Sequence, residues 1–196
     1  MKKIVVFASG SGTNFQSIID SVGKGEIQAE IEGLIVSRRS AGASNRAEKA
    51  GIPVQVIRPA DFNTEEAFGK EILRHLNRWE PDLIVLAGYM VKIPGNVIEA
   101  YPSRIINIHP ALLPRYGGKG FFGKRVHQAV LDAGDKETGC TVHYVNEKYD
   151  QGPIIAQRNV PVKSDDTPES LARRVLSEEH KLLPQVIQQL LSKQNH

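Results

Sequence analysis

The chain has 196 residues, of which 40% are hydrophobic and 24% are charged, a balance typical of a soluble globular protein with one domain. Its net charge of +3 comes from 25 basic and 22 acidic residues spread along the chain, so the charge does not indicate a nucleic-acid partner. No apolar run approaches the roughly 20 residues that span a bilayer, and we expect a cytoplasmic protein without a membrane partner. One cysteine excludes an internal disulfide framework, and the six histidines form no close pair, so we predict no metal site.

Apolar segments alternate with helical segments through the first half of the chain. Strands are predicted over 3–8, 31–37, 53–57, 82–87 and 104–109, with helices between most of them. The run 83–87 is apolar on both faces, as a parallel sheet covered by helices requires. This alternation predicts an α/β fold with a Rossmann-like, doubly wound and mostly parallel sheet, in a single domain.

The first strand leads directly into the glycine-rich sequence Ser9-Gly10-Ser11-Gly12-Thr13-Asn14, after which a helix begins. Backbone N–H groups at the start of such a helix can bind phosphate, while Thr13 and Asn14 can cap the helix and contact the anion. A dinucleotide fingerprint would place another glycine where Phe15 stands and an acid where residues 37–39 are Ser-Arg-Arg. The loop therefore favours a mononucleotide or sugar phosphate, and the alternative is a tight turn with a helix cap.

Asn107 and His109 alternate onto one face of the fifth strand, which Pro110 ends. Asp150 follows His109 by 41 residues and opens an Asp-Gln-Gly-Pro sequence. An amide and an imidazole can stabilise the oxyanion of a tetrahedral intermediate, and a carboxylate beside the imidazole favours its protonated form. The three residue types suit acyl transfer. The alternative is structural, with a histidine at a strand end and an aspartate that begins a turn.

The pattern changes after residue 136. Two strands are predicted around 138–145 and 153–160, and Cys140 is expected to pack in the first of them. A long amphipathic helix is predicted from Thr167 to about Leu191, with Thr167 as N-cap and Pro168 in the first turn. Pro184 is expected to kink this helix or divide it in two.

Four segments of the chain together resemble the phosphoribosylglycinamide formyltransferase family. They are residues 9–14, Leu86-Ala87-Gly88-Tyr89-Met90, residues 107–114 and residues 150–155. The resemblance covers nearly the whole chain and implies one formyltransferase domain over 1–196. A ribonucleotide phosphate-binding half would span about 1–100, and a catalytic and folate-binding half about 101–196. It also implies direct transfer of the formyl group of 10-formyltetrahydrofolate to the amine of glycinamide ribonucleotide in purine (IMP) biosynthesis.

The resemblance implies roles for individual residues. Catalysis is assigned to Asn107, His109 and Asp150, with His109 as proton donor and Asp150 raising its pKa. Binding of the ribonucleotide is assigned to Gly12, Thr13, Asn14 and Glu179. Binding of the folate is assigned to Glu65, Met90, Val91, Lys92, Ile93 and Asn107. Residues 145–150 resemble a loop that closes over the pteridine. Apart from the resemblance, Glu179 would be a solvated acid on a helix face, and residues 90–93 would be core at a strand end.

Two features depart from the family pattern. Some members carry a folate-contacting arginine at the position of Glu65, and the opposite charge here would repel the glutamate tail of the folate. The stretch 115–125 is longer and richer in glycine than its common counterpart, and we expect it to form a mobile loop near the substrate. Its cations Lys119, Lys124 and Arg125 either attract anionic groups or are solvated surface charges.

Other functions remain open at the level of sequence. A formyltetrahydrofolate deformylase would share the formyl-folate chemistry but hydrolyse the substrate without an amine acceptor. A nucleotide-dependent oxidoreductase is opposed by Phe15 and by the missing acidic residue, and a non-catalytic nucleotide sensor would not need His109. The oligomeric state is expected to be a monomer or a homodimer.

Overall fold

A computed structural model describes residues 1–193 and contains one seven-stranded sheet in the order β3-β2-β1-β4-β5-β6-β7. Strands β1 to β5 are parallel, whereas β6 pairs antiparallel with β5 and β7 antiparallel with β6. The mostly parallel α/β sheet predicted from the sequence is confirmed. The strands are β1 (Lys2–Ala8), β2 (Ala29–Val36), β3 (Val54–Val56), β4 (Leu83–Leu86), β5 (Ile105–His109), β6 (Glu137–Tyr144) and β7 (Ile154–Pro161).

Helices cover both faces of the sheet. Alternate residues of β1 enter two separate hydrophobic clusters, with Ile4 and Val6 in one and Val5 and Phe7 in the other, as the two-residue period of a strand requires. Among the described residues, no helix is long and apolar enough to cross a membrane. The helices are α1 (Thr13–Gly23), α2 (Ala43–Lys49), α3 (Glu65–Trp79), α4 (Gly95–Ala100), α5 (Lys124–Asp132) and α6 (Pro168–Lys193), with a 3-10 turn at Pro59–Asp61.

Helix α6 begins as predicted but is not divided at Pro184. The hydroxyl of Thr167 accepts a hydrogen bond from the backbone N–H of Ser170 at 3.2 Å, which confirms the N-cap. Pro184 lies inside the continuous helix, so of the two predicted outcomes the division is wrong, and the kink stays a prediction. A proline in a helix interior costs about 3 kcal/mol, but each buried aliphatic side chain contributes about 1.5–3 kcal/mol. Burial of Leu183, Val186 and Ile187 around the proline is enough to keep the helix continuous.

The loops that follow β1 and β4 lie side by side at the carboxyl edge of the parallel strands, where ligands of such sheets bind. The backbone N–H of Ser9 donates to the carbonyl of Gly88 at 3.0 Å. The hydroxyl of Ser9 accepts the N–H of Met90 at 2.9 Å and bonds the hydroxyl of Ser37 at 2.6 Å. The fold therefore fixes the glycine-rich loop against the segment that begins at Met90.

Candidate active site

Asn107, His109 and Asp150 converge at the carboxyl end of β5. The Oδ2 atom of Asp150 lies 3.6 Å from Nδ1 of His109, and its Oδ1 atom lies 3.4 Å from Nδ2 of Asn107. The side chains of His109 and Asp150 are only 5% and 11% exposed. The amide, the imidazole and the carboxylate thus share one site from which most water is excluded.

Asp150 reaches this site from the turn between β6 and β7. Its φ angle is +54°, in the left-handed region that aspartate tolerates better than most residues. Gly152 follows in the same turn, where a Cβ atom would overlap the carbonyl oxygen of Tyr144. The Asp-Gln-Gly-Pro sequence therefore has a conformational reason for its glycine, and the turn directs the carboxylate of Asp150 toward β5.

The protonation of His109 reflects opposing effects. Burial lowers the pKa of His109 below its usual value, although the charge of Asp150 and a hydrogen bond to the Tyr116 carbonyl act to raise it. Asp150 acts on this pKa in the expected direction, but the effect of burial is larger. Burial also acts to raise the pKa of Asp150, but the neighbouring His143 ring, the charge of His109 and the Gly118 N–H hold it below its usual value. Asp150 is ionised at neutral pH, and the His109 ring of this structure is predominantly neutral.

Sequence reasoning missed a fourth member of the site, His143 on β6. Its Nε2 atom lies 3.1 Å from Nδ2 of Asn107 and 3.6 Å from Oδ1 of Asp150. The residue stands directly opposite Asn107 in the antiparallel pairing of β5 and β6. Its alternation within the predicted strand was visible in the sequence, but the register that places it beside Asn107 was not.

The stretch 115–125 packs against the candidate catalytic side chains. The Tyr116 carbonyl lies 2.8 Å from Nε2 of His109, and the N–H of Gly118 donates to Oδ2 of Asp150 at 2.9 Å. The Tyr116 hydroxyl donates to Asp135 at 2.7 Å, which fixes the start of the stretch. A Cβ atom on Gly117 would approach that of Asp150 to 3.2 Å. The stretch lies at the site, as expected, and its mobility remains a prediction.

Two cations of this stretch have partners, Lys124 outside the stretch and Arg125 within it. Lys124 forms an ion pair with Glu169 at 2.8 Å, and the guanidinium of Arg125 lies 5.2 Å from the centroid of the Phe122 ring. These contacts favour the interpretation of both residues as surface charges.

The first loop leads into a helix, as expected, but the predicted capping of that helix needs a correction. Gly12 is the N-cap of α1 in the left-handed conformation, and no side chain caps this helix in the described part of the chain. The predicted capping by Thr13 and Asn14 is wrong, because the turn is completed at Gly12 and the helix starts with Thr13. The first intrahelical bond runs from Gln16 N–H to the Gly12 carbonyl at 2.9 Å. The earlier N–H groups of the first turn therefore have no helical acceptor and can bind an anion.

Glu179 of α6 is buried beside the same loop. It is 6% exposed, and its carboxylate accepts a hydrogen bond from Nδ2 of Asn14 at 2.5 Å. Burial raises the pKa of Glu179, and the hydrogen bond from Asn14 partly opposes this shift. The alternative of a solvated surface acid is wrong. The amide nitrogen of Asn14 is therefore engaged by Glu179, and its Oδ1 atom has no partner within residues 1–193.

Residues 91–93 line a cleft that ends at the catalytic side chains. Ile93 is buried, Lys92 is exposed, and Met90, just before them, is 50% exposed. The cleft measures about 60 Å³, well below the roughly 300 Å³ of small ligand pockets. Its walls also include Asn107, His143 and Asp150 together with Val145, Asn146, Lys148 and Tyr149.

Glu65 does not stand alone at the rim of this cleft. Its carboxylate lies 3.6 Å from Nζ of Lys92, with side-chain exposures of 57% for Glu65 and 43% for Lys92. The ion pair offsets the negative charge that sequence reasoning expected to repel an anionic ligand. Solvent screening keeps such a pair weak, so Lys92 remains available to other anions.

Three further observations concern a second groove, metal ligands and the single cysteine. A groove of about 760 Å³ between α1 and α6 is larger than the cleft, but its walls include none of the catalytic trio. Within residues 1–193, no three histidine, cysteine, aspartate or glutamate side chains are grouped to hold a metal ion.

Cys140 is fully buried in the core, as predicted, and burial raises its thiol pKa to about 12.

Comparisons with known proteins agree with this geometry. The formyl transferase family model matches residues 2–187, so the fold and the site define this class of protein. The phosphoribosylglycinamide formyltransferase of Bacillus subtilis is 40% identical, over 100% of this chain and 97% of its own length. The crystal structure of the phosphoribosylglycinamide formyltransferase from Bacillus halodurans aligns with a TM-score of 0.92 at 38% identity, covering 98% of this chain and 96% of that one. The chain belongs to the phosphoribosylglycinamide formyltransferase family.

One group of relatives is longer than this chain. The chloroplastic phosphoribosylglycinamide formyltransferase of Arabidopsis thaliana is 43% identical over 95% of this chain, but the match spans only 64% of the plant protein.

Proposed function

We propose that the protein transfers the formyl group of 10-formyltetrahydrofolate to the amine of glycinamide ribonucleotide. The observation that carries this proposal is the convergence of Asn107, His109 and Asp150 at one end of β5. The phosphate-type loop and the cleft lined by residues 91–93 lie at the same edge of the sheet. The names of the relatives favour this transferase over the deformylase and oxidoreductase alternatives.

The reaction needs an oxyanion donor and a route for one proton. The amine attacks the formyl carbon, a C–N bond forms, and the carbonyl electrons move to oxygen. An N–H of Asn107 and an N–H of His109 stabilise this oxyanion, and loss of one such donor typically costs about 10²–10³ in rate. When the carbonyl re-forms, the bond from carbon to N10 of the folate breaks. His109 and Asp150 help move the proton of the attacking amine to the departing nitrogen.

The hydrogen bonding of His109 requires one change before this step. Its Nε2 atom faces the Tyr116 carbonyl, which can only accept, so Nε2 carries the hydrogen. The formyl oxygen would replace that carbonyl as the acceptor. Its developing negative charge, together with Asp150, raises the proton affinity of the ring and offsets the lowering caused by burial.

The two substrates would occupy the two halves of the domain. We propose that residues of about 1–100 hold the ribonucleotide phosphate through the loop containing Gly12, Thr13 and Asn14, and that Glu179 of α6 accepts a hydrogen bond from a ribose hydroxyl. The folate would lie in the catalytic half of about 101–196, against Asn107 and beneath residues 145–150. Met90, Val91, Lys92 and Ile93 would line its pocket, with Lys92 facing the folate glutamate and partly neutralising Glu65. A cytoplasmic location, and a monomeric or homodimeric state, stay predictions.

The proposal is tested by following the ultraviolet absorbance of 10-formyltetrahydrofolate with the purified protein, with and without glycinamide ribonucleotide. We expect loss of the formyl-folate signal only when the ribonucleotide is present. Loss without the ribonucleotide would indicate a hydrolase. No loss in either mixture, with a protein that is folded by circular dichroism, would contradict the proposal.

A further inference from the structure

His143 has a defined tautomer in this structure. Its Nδ1 atom lies 2.8 Å from the carbonyl oxygen of Tyr144, and a carbonyl oxygen can only accept a hydrogen bond. Nδ1 therefore carries the ring hydrogen. In the neutral ring the opposite nitrogen, Nε2, is then an acceptor. His143 is 2% exposed, so water does not compete for that acceptor.

This tautomer fixes the orientation of the Asn107 carboxamide. An acceptor at Nε2 requires a donor 3.1 Å away, so the amide nitrogen of Asn107, and not its oxygen, must face His143. The amide nitrogen has two hydrogens. One is directed at His143, and the other points toward Oδ1 of Asp150 at 3.4 Å, beyond the usual range of a strong hydrogen bond. The second hydrogen is therefore weakly held.

We infer that His143 is a positioning residue that orients the Asn107 carboxamide so that an N–H faces the reacting carbonyl oxygen. If the carboxamide were rotated by a half-turn, its oxygen would face the oxyanion and repel it. His143 accepts one amide hydrogen and so leaves the other to be donated in the transition state. The inference rests on the proposed formyl transfer, since it concerns the oxyanion formed there.

A merely structural role for His143 makes different predictions. If the ring only filled space in β6, its loss would affect stability and its kinetic effect would be independent of Asn107. If His143 orients Asn107, the effect of its loss on kcat must vanish once the Asn107 amide has been removed. The effects of two residues that act through one group are not additive.

The test is a double-mutant cycle on the full chain. His143→Phe keeps a ring of similar size but removes the acceptor, and we expect kcat to fall about ten- to a hundredfold, less than or equal to the loss of a whole oxyanion donor. KM for each substrate should change less than about threefold, because the interaction is made in the transition state. His143→Gln supplies an acceptor oxygen at similar reach and should restore most of kcat. In an Asn107→Ala background, His143→Phe should change kcat less than about twofold.

His75 provides the matched control, because it is another buried histidine, on α3, where it packs on Trp79 and its Nε2 atom contacts Glu71. His75→Phe is expected to leave kcat unchanged. Independent losses from His143→Phe and Asn107→Ala that multiply in the double variant would overturn the inference. If the unmodified protein has no turnover, the proposed function fails first.

A second measurement does not depend on turnover, and its first part uses only the unmodified protein. Nitrogen-15 NMR of the imidazole rings in the unmodified protein should show His143 protonated at Nδ1 and unprotonated at Nε2. The side-chain amide of Asn107 should show a coupling or an exchange protection that disappears in His143→Phe. A ring protonated at Nε2, either alone or together with Nδ1, would contradict the inference, whatever the kinetics.

Discussion

The carboxylate of Asp150 faces the imidazole of His109, with 3.6 Å between Oδ2 and Nδ1. Burial of the imidazole opposes its protonation, whereas the carboxylate favours it. The protonation state of His109 therefore depends on a balance that a single substitution at position 150 can shift.

Replacing Asp150 by asparagine should reduce kcat by about 10²–10⁴, because the charge that supports protonation of His109 is lost. Asparagine tolerates the left-handed backbone at this position, so the turn should persist. The pKa of His109 should fall further. The inflection that His109 produces in the pH profile of kcat, measured from pH 5 to 9, should therefore move to lower pH. Asp61→Asn, at an exposed ion pair with Arg58, is the control and should retain full activity. Near-normal turnover of the Asp150 variant would contradict the mechanism.

Acid should destabilise the protein partly through His127. Burial lowers the pKa of His127 to about 4, with a smaller effect from His109, and its Nδ1 atom has no partner within residues 1–193. In the unfolded chain the ordinary pKa is about 6.5, so between pH 6.5 and 4 the unfolded state binds the extra proton. The free energy of unfolding should therefore fall as the pH falls through this window, by up to about 3 kcal/mol from this residue.

The measurement for His127 is urea unfolding at several pH values between 7 and 4. His127→Gln cannot titrate, so its stability should depend less steeply on pH than that of the parent. An identical slope in both proteins would show that other groups dominate the acid sensitivity.

Glu179→Ala should weaken binding of the ribonucleotide about ten- to a hundredfold, since a hydrogen bond to a charged group contributes about 1.5–3 kcal/mol. The affinity for the folate should change little, because Glu179 lies against Asn14 of the first loop. Glu178→Ala is the matched control, since the neighbouring carboxylate pairs with Arg158 and Lys181 at the surface. Titration calorimetry with each substrate separates the two affinities. Equal losses for both substrates, or for both variants, would argue against a ribonucleotide role.

Gly12→Ala should be more destabilising than Gly25→Ala, although both glycines have a φ of +74°. A Cβ atom on Gly12 would lie 2.7 Å from Ala43, whereas one on Gly25 meets no atom of the described chain within 4 Å. The Gly25 variant isolates the conformational cost, about 1–2 kcal/mol. The Gly12 variant adds steric overlap with α2 and should also lose ribonucleotide affinity. Denaturant midpoints compare the two, and equal destabilisation would mean that the contact with Ala43 relaxes freely.

Much of the fold was accessible from sequence because the parallel strands are apolar on both faces. Short apolar runs such as Leu83 to Leu86 have few structural alternatives to a buried parallel strand in a chain of this length. The glycine-rich turn and the alternation of Asn107 with His109 likewise depend on local geometry alone. Each of these features lies within one strand, helix or turn, and sequence periodicity predicts local structure of that kind.

Contacts between elements were harder to predict. The burial of Glu179 depends on how α6 packs against α1, and the participation of His143 depends on the pairing of β5 with β6. The continuity of α6 through Pro184 likewise depends on tertiary burial, which exceeds the local cost of the proline. Each of these facts is settled by residues far away in the chain.

The antiparallel pairing of β5 with β6 has a consequence for folding. Asn107 faces His143 only in the observed register, in which His109 faces Thr141. A slip of one residue would bring Val142 or Tyr144 opposite Asn107 and turn the His143 ring to the other face of the sheet. The protein would retain most of its hydrogen-bond ladder and its helices, but the amide would have lost its partner. Recovery of turnover after refolding would therefore report the alignment of these two strands, which circular dichroism does not detect.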